Sequence, residues 1–219
     1  MNIFNIIGPV MIGPSSSHTA GAVRIGRIAY KILGERAVKA RIGLCGSFAQ
    51  TYKGHGTDRA LLAGIMNMSS DDSRIPDSLA IAKQTGLNYE FYELRLPDVH
   101  PNTAVIELIG EHNTSCQIQG ASIGGGNILI ERINGLDVFL TGQYNTLLVL
   151  HQDVPGTIAA VTNSVAYSGI NIGNFRLSRP KRGGLAVMTI EVDGEVPSTV
   201  IEWLRHLPHI NNVILIHSI

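Results

Sequence analysis

The sequence predicts an α+β chain of two domains, on three observations. Apolar residues at i, i+3, i+4 and i+7 spacing alternate along the chain with strand-like runs. A short polar joint, Thr141-Gly142-Gln143-Tyr144-Asn145, separates residues 1–142 from residues 145–219. The second part reads β-α-β-β-α-β, the ferredoxin-like order, whereas the first mixes helices and strands without it.

The first domain opens on Gly13-Pro14-Ser15-Ser16-Ser17-His18-Thr19 and then a helix with Ile25, Ile28, Ala29 and Ile32 on one face; Arg24, Arg27 and Lys31 fall on others. A strand is predicted over Lys39 to Phe48. Gly54-His55-Gly56-Thr57-Asp58 leads into a second helix carrying Leu61, Leu62, Ile65 and Met66. Ser69 to Gly86 reads as a loop with a short helix. Strand-like runs follow at Asn88 to Leu96, Thr103 to Ile109, Thr114 to Ile123 and Asn127 to Ile133, the last two separated by Gly124-Gly125-Gly126.

In the second domain Leu147 to Leu150 is a strand core, and Asp153-Val154-Pro155-Gly156 is a turn opening a helix with Ile158, Val161, Thr162 and Val165 in one stripe. Gly169 stops that helix. The next strand sets Gly173, Phe175 and Leu177 against Asn174, Arg176 and Ser178, and Pro180 to Gly184 form a hairpin turn. Met188, Ile190 and Val192 share one face of the strand after it. A helix from about Pro197 turns Val200, Trp203, Leu204 and Leu207 inward, and Val213 to His217 form the last strand.

Composition narrows the function. The 219 residues carry 17 basic and 17 acidic side chains, and charged residues make up only 16%, below the usual quarter. So little charge implies surface covered by a partner chain or a second copy. No basic cluster interleaved with aromatics is present, so no nucleic-acid partner is expected. No apolar run approaches the roughly 18 residues that span a bilayer. Met1 to Ile7 lacks the basic segment of a secretion signal, so a cytoplasmic location is expected. The two cysteines, Cys45 and Cys116, form no CxxC pair and cannot supply the thiolates of an iron–sulfur or zinc site. No metal ligand is expected from this chain.

Three motifs carry candidate chemistry. A helix start presents unpaired N–H groups and the positive end of a dipole, which attract anions. Hydroxyls and an imidazole crowded there, Ser15 to Thr19, suit a carboxylate-bearing substrate; equally, one serine could serve as an N-cap. His55, set between two glycines, is a candidate general base, and Thr57 or Asp58 beside it is either a ligand or a cap. Ser122 and the glycines from Gly124 allow close backbone approach to a ligand, or a hairpin turn. His112, His151, His206, His209 and His217 are expected at the surface or at strand edges. In the second domain Asp153, Pro155, Gly156, Asn171 and Ile172 bracket one helix and could hold an amino acid, or simply punctuate that helix.

These residues resemble a known family. Ile7-Gly8-Pro9-Val10-Met11-Ile12 running into Gly13 to Thr19, with Gly54 to Asp58 and Ser122 to Gly126, is similar to the β subunit of bacterial iron–sulfur L-serine dehydratases. The second domain resembles an ACT domain, a small amino-acid-sensing module. The first resembles the substrate-binding regulatory domain of some phosphoglycerate dehydrogenases. The resemblance implies conversion of L-serine to pyruvate and ammonia at a [4Fe-4S] cluster held by a separate α subunit. It implies that Ser15, Ser16, Ser17 and Thr19 bind the substrate carboxylate, with Thr57, Asp58, Ser122 and Gly124 completing the pocket. His18 and His55 become acid and base, with His55 favoured as base. Asp153, Pro155, Gly156, Asn171 and Ile172 become effector residues, and the ACT unit a surface for self-association. The competing expectation is a non-catalytic, amino-acid-binding regulatory module.

Overall fold

The computed structural model describes residues 10–219. Ile7, Gly8 and Pro9 of the first motif, and the whole Met1 to Ile7 start, lie outside the described residues. The chain divides into two compact units, Met1–Gly135 and Leu136–Ile219.

The first unit begins with a π-helical turn, Ser16–Gly21, that runs into α1 (Ala22–Leu33). Then come β1 (Ala37–Leu44), α2 (Gly46–His55), α3 (Thr57–Ile65), a 3₁₀ turn (Ile75–Asp77) and α4 (Ser78–Gln84). Four strands complete it: β2 (Asn88–Glu93), β3 (Thr103–Gly110), β4 (Ser115–Gly124) and β5 (Asn127–Ile133). Side by side they run β2-β1-β3-β4-β5. β1 is parallel to β2, and the remaining pairs are antiparallel.

The apolar stripe predicted for α1 is buried, with Ile25, Ile28 and Ala29 fully so. It packs on β3, β4 and α3. The approach to α3 is close because both helices carry a glycine there. A Cβ on Gly26 would lie 2.4 Å from the Leu61 carbonyl oxygen, and one on Gly64 would lie 2.1 Å from that of Val23.

The strand expected to reach Phe48 ends at Leu44. The Cys45 N–H closes the ladder on the Thr103 carbonyl at 3.0 Å. Gly46 then takes φ +48° against Pro101, whose carbonyl oxygen lies 2.8 Å from where a Cβ would stand, and α2 begins. Periodicity gave no warning of α2, since Phe48 is its only fully covered side chain. His55 is therefore the last residue of a helix rather than part of a loop before one. Gly56 (φ +71°) both ends α2 and starts α3.

The second unit contains β6 (Leu136–Leu140), β7 (Asn145–Gln152), α5 (Thr157–Tyr167), β8 (Ile172–Ser178), β9 (Leu185–Val192), α6 (Ser198–Arg205) and β10 (Ile210–Ile216). The division between units falls ahead of the polar joint because β6 lies against β8 and β9. From β7 onward the order is βαββαβ in an antiparallel sheet, β10-β7-β9-β8, the ferredoxin-like arrangement. Leu147, Val149, Val161, Val165, Met188 and Leu204 lie in its core.

Three expectations fail here. Trp203 is 64% exposed, and its indole N–H donates to Ser164 Oγ at 3.2 Å. The stripe buried on α5 is Thr157, Val161 and Val165, at strict i+4 spacing, which leaves Ile158 39% exposed and Thr162 half-buried. His151 is buried at 1% exposure, because β7 has strands on both sides.

Candidate functional site

Two histidines from separate segments meet in the first unit. His18, in the π-turn, and His55, ending α2, have ring centroids 4.9 Å apart and planes at 90°. The π-turn is in contact with α2, α3 and β4. Such wide turns are rare and favour functional sites. His18 is half-buried, and its ring also meets Phe48 edge-on at 5.3 Å. Its Nε2 lies 3.2 Å from Ser47 Oγ and its Nδ1 3.5 Å from Ser15 Oγ. Burial, and then the charge of His55, lower the His18 pKa, so the ring is kept neutral. His55 is exposed.

The neighbouring hydroxyls fall into two groups. Ser15 accepts the His18 N–H at 3.2 Å and caps the π-turn, so the capping alternative holds for that residue. Ser16 and Ser17 are half-buried. Thr19, Thr57 and Ser122 are buried to 2% or less, and each hydroxyl oxygen lacks a hydrogen-bond partner among the described residues. A buried polar group left unpaired costs about 1–3 kcal/mol. Three of them stand on the π-turn, α3 and β4, and the π-turn is in contact with both other elements. Ser122 presses on the π-turn, since a Cβ at Gly21 would lie 2.1 Å from its Oγ.

Thr57 and Asp58 make no side-chain cap on α3. Asp58 is 9% exposed, its Oδ1 accepts the Arg59 N–H at 2.8 Å, and burial raises its pKa. Gly125 and Gly126 (φ +60° and +80°) form a two-residue hairpin between β4 and β5, the turn alternative for that motif. Gly124 (φ +105°) precedes it, and Arg24 Nη1 donates to the Gly126 carbonyl at 2.8 Å.

The second-unit candidates do not converge within one chain. Asp153 pairs with Arg179 at 2.9 Å and accepts the Gly183 N–H at 3.0 Å, contacts that lower its pKa. Pro155 and Gly156 are exposed at the start of α5. Asn171 lies past the far end of α5 and donates to Asp193 at 2.7 Å; Ile172 packs on the core. Eleven residues of helix set the two ends about 16 Å apart.

Sequence reasoning missed Ser47 and Phe48. Ser47, Thr51 and His55 recur every four residues, a polar ridge visible once α2 is known to be helical. A cavity of about 470 Å³ opens at the start of α2 beside Cys45, Glu93, Arg95 and His100, and neither His18 nor His55 lines it. Glu35, Glu111 and His112 gather on the surface. There Arg36 pairs with Glu111 and His112 with Glu35, so the charges satisfy one another.

Comparison with known proteins follows the same lines. The family model described as "Serine dehydratase beta chain" matches residues 2–88. The "Probable L-serine dehydratase, beta chain" of Bacillus subtilis is 45% identical over 97% of this chain and 96% of its own length. The "L-serine dehydratase, beta chain" of Peptoniphilus asaccharolyticus is 40% identical over 87% of this chain and 86% of its own. A D-3-phosphoglycerate dehydrogenase of Methanocaldococcus jannaschii is 33% identical over 46% of this chain and 19% of its own length. No helix among the described residues is long and apolar enough to cross a membrane.

Proposed function

From the premise that this chain belongs to the L-serine dehydratase β-chain family, we propose that it supplies substrate-binding and proton-transfer groups for the deamination of L-serine to pyruvate and ammonia. The observation that carries this reading is the perpendicular His18–His55 pair, 4.9 Å apart, beside hydroxyls that are buried without partners.

The family resemblance brings an iron–sulfur cluster with it, and this chain's residues do not fit one. Cys45 and Cys116 are both buried, and burial raises both thiol pKa values, that of Cys116 to about 12. Cluster ligands are deprotonated thiolates, in threes or fours. On this reading a separate α chain carries the cluster, and the residues here act around it.

His55, exposed at the end of α2, takes the α-proton of L-serine. His18, held neutral by burial, lies against it to share or relay that proton. Loss of the β-hydroxyl as water leaves aminoacrylate, which hydrolyses to pyruvate and ammonia. Ser16, Ser17 and Thr19 bind the substrate carboxylate at the π-turn, and Thr57 and Ser122 gain the partners they lack. The pair lies outside the cavity at the start of α2, which agrees with a site walled in by a second chain. The ACT-type unit joins copies of the chain or senses an amino acid.

The test is reconstitution. This chain mixed anaerobically with the α chain should release pyruvate from L-serine well beyond the α chain alone. His55→Ala should lower kcat by about 10²–10⁴-fold, the usual share of a general base. Undiminished turnover in that variant would refute the assignment. A purely regulatory module would instead bind L-serine by itself and tolerate loss of both histidines.

A further inference from the structure

We propose that Ser47 is a positioning residue for His18, its hydroxyl fixing the imidazole so that the ring stands edge-on to His55. The inference rests on the proton-transfer reading above and adds a residue to that site.

Three of the four groups touching the His18 ring come from α2: Ser47 at Nε2, Phe48 at one ring edge, and His55. The fourth, Ser15, is already engaged by the His18 backbone N–H at 3.2 Å, and its approach to Nδ1 is long at 3.5 Å. Ser47 Oγ at 3.2 Å is thus the closer polar contact on the ring. Phe48 and His55 restrict the tilt of the ring but make no polar bond to it. They leave open whether the ring is flipped. A hydroxyl can donate to an unprotonated nitrogen or accept from a protonated one, so Ser47 can stay bonded while His18 changes its proton.

Ser47 is well held for this task. It lies in the first turn of α2, half-buried, and its carbonyl accepts the Thr51 hydroxyl at 2.7 Å. The Phe48 N–H meets the Pro101 carbonyl at 3.3 Å, anchoring that turn to the loop before β3. One helix therefore carries both the proton acceptor at its end and the group that orients that acceptor's neighbour at its start.

The experiment has two arms. In the reconstituted complex, Ser47→Ala should lower kcat about 10- to 100-fold, the effect of a mispositioned reacting group, with KM changed far less. It should also shift the pH profile of kcat, and Ser47→Thr should restore most of the rate. In a His18→Ala background, Ser47→Ala should cost almost nothing more, because its effect passes through that ring. An undiminished cost in that background would overturn the proposal.

The second arm is ¹⁵N NMR of the imidazoles in the isolated full chain, with circular dichroism as the check on folding. Ser47→Ala should move the His18 Nε2 resonance, which loses its hydrogen bond, more than the Nδ1 resonance. Unchanged His18 nitrogen shifts would also overturn the proposal. If the wild-type complex makes no pyruvate, the functional reading fails by itself, while the NMR arm still decides whether Ser47 sets the ring.

Discussion

Gly64→Ala is a sharp test of how the two histidine-bearing segments are held. A Cβ at Gly64 would stand 2.1 Å from the Val23 carbonyl oxygen, 2.8 Å from Arg27 N and 2.9 Å from Gly26 Cα. All three are backbone atoms of α1, so no side chain can swing away. Restoring ordinary contact near 3.4 Å requires α1 and α3 to part by about 1.3 Å. Overfilling a packed interface costs roughly 1–3 kcal/mol, and this clash lies at the upper end. Alanine returns about 1 kcal/mol of helix propensity, leaving a net loss of about 2 kcal/mol. With a urea slope of about 2 kcal/mol/M, the unfolding midpoint of the first unit should fall by about 1 M. Far-UV circular dichroism follows both units, while emission from Trp203, the single tryptophan, reports on the second, so a shift seen in the first signal and not in the second belongs to the first unit. The control is Gly54→Ala in α2. Nothing lies within 4 Å of a Cβ there, so the same exchange should stabilise by up to about 1 kcal/mol. A Gly64→Ala midpoint equal to or above wild type would refute the steric reasoning.

Two further outcomes follow from the titratable groups. In one NMR titration His18 should protonate below the usual 6.5 and His112 above it, because burial disfavours the charged His18 while Glu35 favours the charged His112. His18 thus supports folding above about pH 6.5, and that support is lost as pH falls toward its lowered value. His112 contributes below about pH 6.5, and its contribution fades as pH rises through its raised value; the reverse order of the two titrations would contradict the geometry. Cys45 and Cys116 are buried to 3% and 6% exposure with raised pKa values. Iodoacetamide at pH 8 should therefore label neither in the folded chain and both in urea, and stoichiometric labelling of native protein would count against this burial.

Legibility in the sequence tracked the strength of amphipathic patterning. The α1 stripe was readable because Ile25, Ile28 and Ala29 face a sheet and a second helix at once. The βαββαβ order was readable because each strand from β7 to β10 contributes apolar residues to one core. α2 was not, since it buries one large side chain and reads as polar. With it went Ser47, and the fact that His55 closes a helix. Trp203 misled because its size suggested the core, whereas an indole can lie on the surface with its N–H on a serine. The motifs named His18 and His55; their proximity was a tertiary fact that no local spacing encodes. Ser15 shows the opposite case, in which the modest reading, a cap, was the structural one.

Gly56 spaces the helices with no slack between them. One residue terminates α2 and initiates α3, so an insertion at this joint cannot be absorbed by slack chain. Each residue added or deleted there would turn α2 about 100° relative to α3, and with it the face that brings Ser47, Phe48 and His55 to His18. Length changes at this joint should therefore be forbidden.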